Sequence, residues 1–340
     1  MNIGLHQRKQ AWVLVVSLLI ASMIFLVLGV CVGSTGLDSL WQAWNDPIAL
    51  HIVQNIRLPR TLGAWVTGAL LGLAGAVAQG LFRNPLADPY LLGSASGASL
   101  GVALVLVFLG VSPLSTHWLV RLGLTGAAFI GATGAVLLTL MLARGVQHTL
   151  RLLLAGVIVS VVLSACVSLV MLMSPDVMQA MQVFMLGSTG LLSWSAWWVM
   201  IGVWVMCMGV AWLLSQVLDG LSLGEATAAS LGLPLVPMRA ALVAVLALAT
   251  GTAVAQTGAI AFVGLAAPHL VRSRVKTTHA QLILLASLMG GVLLMAADTL
   301  ARWLIAPQEL PVGVLTAVLG GGYLLWLMHI KTRDTAGGGL

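Results

Sequence analysis

Long apolar runs with almost no ionisable residue inside them constrain this chain more than any other feature. The clear ones lie at about 11–33, 61–82, 91–111, 121–143, 150–173, 194–216, 238–256, 281–305 and 311–329. About 20 apolar residues in a helix span the hydrocarbon layer of a bilayer. Inside lipid the backbone must satisfy its own polar groups, which for runs of this length means helices. Of the 340 residues, 60% are hydrophobic and 7% charged, against about 25% charged in a soluble domain. No water-facing surface can be built from that composition. The fold class is therefore an all-α membrane protein, with residues 1–340 forming a single transmembrane domain that no linker or low-complexity tract divides.

The few charges set the topology. With the N-terminus in the cytoplasm, Arg83, the Arg144 to Arg151 loop and the 218–239 loop all fall inside, as the positive-inside bias requires. The next basic stretch, Arg272, Arg274, Lys276 and His279, should also lie inside, yet only Gly258 to Val271 is available to bring the chain back. A tenth, short crossing is expected there, buried among other helices because it cannot span lipid alone. Lys331 and Arg333 then fall inside, so both termini are cytoplasmic. The run from about Trp12 to Val32 exceeds the core of a signal peptide and reads as a first membrane helix. The net charge of +6 is scattered over loops rather than gathered in a stripe, which argues against nucleic acid. Cys31, Cys166 and Cys207 have no metal-ligand or disulfide spacing and read as small packing residues.

Four arginines fall on the outer side against the bias: Arg57, Arg60, Arg121 and Arg302. Arg121 reads as an interfacial anchor. Arg57 and Arg60, three apart at the mouth of a span, suit an acidic partner as well as they suit anchoring. Arg302 follows Asp298 by four residues, so an internal pair is available. The other reading of Asp298 is a proton-relay carboxylate, for which no second ionisable group recurs in the runs. Small residues recur every fourth position in Gly68, Gly72, Ala76 and Gly80 and in Gly93, Gly97 and Gly101, a pattern for close helix packing within the chain or at a dimer face.

In the loop after the sixth run, Ser222 and Glu225 form a capping-box pattern and Gly232 with Pro234 supplies a stop, predicting a short cytoplasmic helix over about 221–231. Its small, mildly apolar surface suits a partner's groove. Another inner turn, Phe82 to Pro89, carries two prolines and is rigid. No G-x-x-x-x-G-K-[ST] loop occurs and the only lysines are Lys9, Lys276 and Lys331, so any ATP hydrolysis belongs to another chain and this one is not itself an enzyme. His269, after Pro268, reads as a structural cap.

Several spaced motifs then become recognisable in order: Arg57-Leu58-Pro59-Arg60; Gly75 through Pro89 with Leu92-Gly93; Arg151-Leu152-Leu153-Leu154-Ala155-Gly156; Phe262-Val263-Gly264-Leu265 with Pro268-His269; and Glu309-Leu310-Pro311-Val312-Gly313. From about residue 50 to 330 the chain resembles the FecCD-type permeases of binding-protein-dependent ABC importers, which carry ferric siderophores, haem or vitamin B12. The resemblance implies a type II ABC importer permease of about ten helices per subunit in the bacterial inner membrane. It implies a homodimer, two cytoplasmic ATPase subunits that bind ATP and Mg, a periplasmic substrate-binding protein, and no cofactor in this chain.

By position, Arg57, Arg60 and Arg302 are then expected to dock the binding protein. Leu221, Ser222, Gly224, Glu225, Ala226, Ala229, Leu231 and Gly232 are expected to couple to the ATPase, and Asn84 and Leu86 to form an inner gate. A second gate in relatives uses hydroxyl residues just before the Arg151 motif; Thr149 fits it and His148 departs from it. A histidine there is either a solvated loop residue or a ligand for haem iron. Met171, Met173 and Met178, with Met181 and Met185 beyond them, form either a weakly interacting pathway wall or core packing. Haem is the preferred substrate, ahead of a ferric siderophore and then cobalamin. A stand-alone secondary transporter would need more ionisable residues within the runs.

Overall fold

The computed structural model describes residues 5–33, 36–37, 46–110, 118–143, 149–230 and 234–336. The described chain runs α1 (Leu5–Cys31), a two-residue strand pair (Val32–Gly33 with Gly36–Leu37), and α2 (Pro47–Ile52), which continues through a π-helical turn (Val53–Arg57) into α3 (Leu58–Leu81). There follow α4 (Ser94–Leu109), α5 (Trp118–Leu142), α6 (Thr149–Met173), α7 (Pro175–Leu186) and α8 (Trp194–Leu213). The chain ends with α9 (Ser215–Ser222), α10 (Glu225–Ser230), α11 (Leu235–Thr257), α12 (Val263–Arg274), α13 (His279–Trp303) and α14 (Val312–Ala336).

Among the described residues seven helices are long and apolar enough to cross a membrane: α1, the continuous Pro47–Leu81 element, α5, α6, α8, α11 and α13. Two shorter apolar helices, Ser94–Leu109 and Val312–Trp326, join them, and α12 lies where the short tenth crossing is expected. At 12 residues, α12 rises only about 18 Å against a hydrocarbon layer of about 30 Å. It has the burial such a short crossing needs, with Val263, Gly264, Leu265, Ala267, Pro268 and Val271 all enclosed.

Helix α3 is the axis of the packing. Every residue from Val66 to Leu81 is buried, as expected of a helix that is apolar on all sides. Its glycine row lies against α13: a methyl group at Gly68 would stand 2.2 Å from the Gly290 carbonyl oxygen, and one at Gly72 would stand 2.1 Å from that of Ala286. The small residues thus let two backbones of one chain touch, the geometry that lipid favours because van der Waals contact replaces the hydrophobic drive. Gly97 plays the same part between α4 and α5, facing the Gly131 carbonyl. The span begins earlier than the predicted residue 61, because Asp46 caps α2 by accepting from Ile48 N–H at 2.9 Å and the helix then runs on unbroken past His51, Asn55 and Arg57.

Candidate functional site

At one end of the bundle the last turn of α1 presents carbonyl oxygens that no helical N–H can reach, the ordinary condition of a helix C-terminus. Arginines from two other elements supply the donors. Arg57 Nη1, in the π-helical turn, donates to the carbonyls of Val30 at 3.2 Å and Cys31 at 3.5 Å. Arg302 Nη1, on α13, donates to those of Gly29 at 2.7 Å and Val32 at 3.0 Å. Gly29 leaves the space, since a methyl there would lie 2.6 Å from Thr61 Cγ2 and 3.1 Å from Arg302 Nη2.

Arg302 Nη2 also pairs with Asp298 Oδ2 at 2.7 Å, one turn back on the same helix. The other Asp298 oxygen accepts from Arg60 Nη2 at 3.1 Å and from the Thr189 hydroxyl. Arg60 Nη1 in turn reaches Glu309 Oε2 at 2.8 Å. Two arginines and two carboxylates make a neutral quartet, which is what allows charge to be enclosed at all.

The expectation that Arg302 docks a partner is corrected here. Its residue exposure is 1%, and its guanidinium is committed to Asp298 and to the end of α1, so it works as an internal clamp. Asp298 is paired on both oxygens, the ion-pair alternative rather than the relay. Arg57 and Arg60 keep partial exposure. They share a helix but diverge, Arg57 toward α1 and Arg60 toward α13. Thr189 and Glu309 complete the cluster; Glu309 stood in a family motif and Thr189 carried no signal, and neither pairing could be read from the sequence because the partners lie more than 100 residues away.

At the opposite end, Gly224 with φ +109° separates α9 from α10. The helix predicted over 221–231 is therefore two helices, and the capping box does not form. Ser222 ends α9, where its hydroxyl donates to the Asp219 carbonyl at 2.6 Å. The local pattern loses because Val217, Leu218 and Leu221 bury one side of α9 and draw Ser222 into it. Ala226 and Ala229 lie on α10; Leu231 and Gly232 fall outside the described residues.

Glu225 opens α10, and its Oε1 pairs with Arg239 of α11 at 2.8 Å and with Arg83 at 3.5 Å. Arg83 starts the turn after α3 in a left-handed conformation, φ +50°. Next to it the Asn84 side chain accepts from Leu86 N–H at 2.9 Å, a local Asx turn. Asp88 then caps the Pro89–Leu92 turn by accepting from Tyr90 N–H at 2.8 Å, and the Tyr90 hydroxyl donates to the Ile260 carbonyl at 3.1 Å. The turn is held rigid on both sides, with Leu86 projecting at 55% exposure.

A second tie at this end joins α9 to α13: Asp219 accepts from His279 N–H at 3.1 Å and contacts its Nδ1 at 2.7 Å. Burial acts to raise the Asp219 carboxyl, but the hydrogen bonds and charge of His279 outweigh it and hold the group below its usual value. A carboxyl depressed in the folded state stabilises the fold above its unfolded value of about 3.9 and loses that contribution as pH falls through the folded one. Asp219→Asn is expected to lower the Tm of the detergent-solubilised protein at pH 7 and to flatten the decline below about pH 4. An unchanged Tm at pH 7 would reject the tie.

The methionines separate. Met181 is fully buried and belongs to the core, whereas Met173 and Met178, at 75% and 45% exposure, stand out from the α6–α7 junction, with Met171 half-buried. Thr149 is the first residue of α6, and His148 falls outside the described residues. A feature missed in the sequence is the hydroxyl row Ser160, Ser164 and Ser168 on α6, joined by Ser96 of α4 at 3.0 Å from Ser164. Ser160 and Ser168 donate to carbonyls one turn back, at 2.8 Å and 3.0 Å, which makes them tolerable on an otherwise apolar face. Their four-residue spacing was legible. Among the described residues no group of three His, Cys, Asp or Glu side chains is placed to hold a metal.

This arrangement of crossings, with one ion cluster at each end, can be compared with known proteins. The model of the FecCD transport family matches residues 16–330. The chain belongs to the FecCD transport family. It is similar to the hemin transport system permease protein HmuU of Yersinia pestis, at 38% identity over 96% of this chain and 98% of that protein. The vitamin B12 import system permease protein BtuC of Salmonella typhimurium matches with the same identity and coverage. A solved inward-facing transporter described as of the metal-chelate ABC type superposes with a TM-score of 0.82 at 29% identity, covering 95% of this chain and 99% of that one. PsaBC of Streptococcus pneumoniae, solved with a Fab, shares the fold alone, with a TM-score of 0.57 at 18% identity. The family read from the spaced motifs is thus shown, and so is the all-helical ABC permease architecture. A FecCD chain is a transport permease rather than an enzyme.

Proposed function

We propose that this FecCD permease pairs with a second copy of itself and with separate cytoplasmic ATPase subunits, and imports a bulky metal macrocycle, haem first, across a bacterial inner membrane. The Arg60 end faces outward and receives the substrate-binding protein, with Arg57 and Arg60 as the docking arginines. The Glu225 end faces the cytoplasm. ATP and Mg belong to the ATPase subunits, in keeping with a chain that has no phosphate loop.

The bridge made by Glu225 carries this reading. It joins α10, a short helix with the exposed Leu223 just before it, to the turn that bears Asn84 and Leu86. Leu223 offers an apolar contact for a groove on the ATPase. Arg239, at 2.8 Å and buried, keeps Glu225 on α11, while the longer contact to Arg83 is solvent-exposed. An exposed pair of that kind contributes no more than about 1 kcal/mol, so it breaks and re-forms as α10 moves. Motion of the ATPase subunits then reaches the gate through one side chain.

For the cargo, haem and cobalamin are both macrocyclic metal complexes, and the relatives named for hemin and for vitamin B12 match this chain equally. Exposed Met173 and Met178 with the serine row of α6 make a soft, weakly binding wall that suits either. Cobalamin is the second reading on that ground. The test is uptake into proteoliposomes containing the permease, its ATPase and its binding protein, with hemin, ferric siderophore and cobalamin offered separately. ATP-dependent hemin accumulation is expected; uptake without the ATPase would sink the importer reading.

A further inference from the structure

We infer that Glu309 is an internal stand-in for a carboxylate of the substrate-binding protein: it occupies Arg60 in the free permease and gives it up on docking. This rests on the outward-facing docking role proposed for Arg60. The Arg60 guanidinium has two differently held sides. Its Nε and Nη2 go to Asp298, at 3.3 Å and 3.1 Å, and Asp298 is fully buried and further held by Arg302 and Thr189. That side cannot exchange without taking from the buried Asp298 one of its two arginines. Its Nη1 goes to both oxygens of Glu309, at 3.1 Å and 2.8 Å.

Glu309 is the one carboxylate of the quartet that meets solvent, its side chain 32% exposed where that of Asp298 is 0%. Its backbone neighbourhood is fixed, Leu310 N–H donating to the Ala301 carbonyl at 3.1 Å, so only the side chain needs to turn outward. An incoming carboxylate offers Nη1 the same pair of acceptor oxygens, and a displaced Glu309 is rehydrated at little cost because it starts partly wet.

Two consequences follow from charge. The quartet is neutral, so the free permease shows little positive potential at Arg60, and docking there gains only the difference between two similar contacts.

The experiment measures binding of the transporter's own purified substrate-binding protein to the permease–ATPase complex in nanodiscs at low and moderate salt. Glu309→Gln keeps the shape and removes the competing charge. It is expected to tighten binding by about two- to fivefold, the weight of one partly exposed ion pair, with the gain largest at low salt. Arg60→Gln is expected to weaken binding and to abolish the gain when combined with Glu309→Gln. If Glu309→Gln binds like the parent or more weakly while Arg60→Gln is weakened, the inference is overturned and the docking role stands. If Arg60→Gln binds normally, the docking role fails and the inference with it. Should Arg60→Gln not fold, Arg57→Gln supplies the test of docking, and the sign of the Glu309→Gln change still decides the inference.

Discussion

Arg302→Ala is expected to destabilise the permease by about 3–5 kcal/mol, because it leaves Asp298 a buried carboxylate that has lost one of its two arginines. The same change strips donors from the carbonyls of Gly29 and Val32, so the end of α1 loosens from α13. Thermal unfolding of the detergent-solubilised protein should show a large fall in Tm with loss of a single peak in size-exclusion chromatography. Arg302→Lys should recover little, since a point charge cannot serve Asp298 and two carbonyls in different directions at once. Replacing both members together, Asp298→Leu with Arg302→Met, should recover part of the loss by removing the uncompensated charge. If Arg302 were a docking residue the result would differ in kind, with a parental Tm and weakened binding-protein association. That pattern would overturn the clamp.

Ala228→Pro is expected to reduce transport to background while ATP hydrolysis continues. Ala228 donates its N–H to the Gly224 carbonyl at 3.0 Å, and proline both removes that bond and clashes with the same carbonyl, at a cost of about 3 kcal/mol. Helix α10 is six residues long, far below the roughly 12 at which an isolated helix becomes even marginal, so it has no reserve to absorb the loss. Ala228 is itself fully buried, which adds overpacking from the ring. Ala228 packs into the same buried core as residues of α3 and α13, so assembly of the variant complex is checked by size-exclusion chromatography before coupling is scored. Substrate moved per ATP hydrolysed is the quantity to follow. Normal coupling in this variant would remove α10 from the mechanism.

Legibility followed the physics of the solvent. The apolar runs marked nearly every long helix, and charge asymmetry pointed to the short segment now seen as helix α12, because lipid penalises an unsatisfied backbone and a misplaced cation alike. The early start of the α2–α3 span was not legible, since His51, Asn55 and Arg57 interrupt the apolar pattern while remaining compatible with a helix. Ser222 and Glu225 had the spacing of a cap, and the burial of Leu221 overrode it. The turn from Phe82 to Pro89 was legible as rigid from its prolines, yet its tie to α10 depended on a side-chain contact spanning 142 residues of sequence.

The amino-acid sequence alone was enough for the membrane environment and the family, and it made an Asp298–Arg302 pair available, because each rests on spacing along the chain or on the cost of placing a group in lipid. Which way that pair faces was settled by helix packing. Four-residue spacing makes two side chains neighbours on a helix, but whether their shared face meets solvent or the end of α1 depends on how the helices pack. Arg302 is therefore enclosed against α1, Arg60 is shared between a buried carboxylate and a partly exposed one, and Glu225 ties α10 to the turn that bears Asn84 and Leu86.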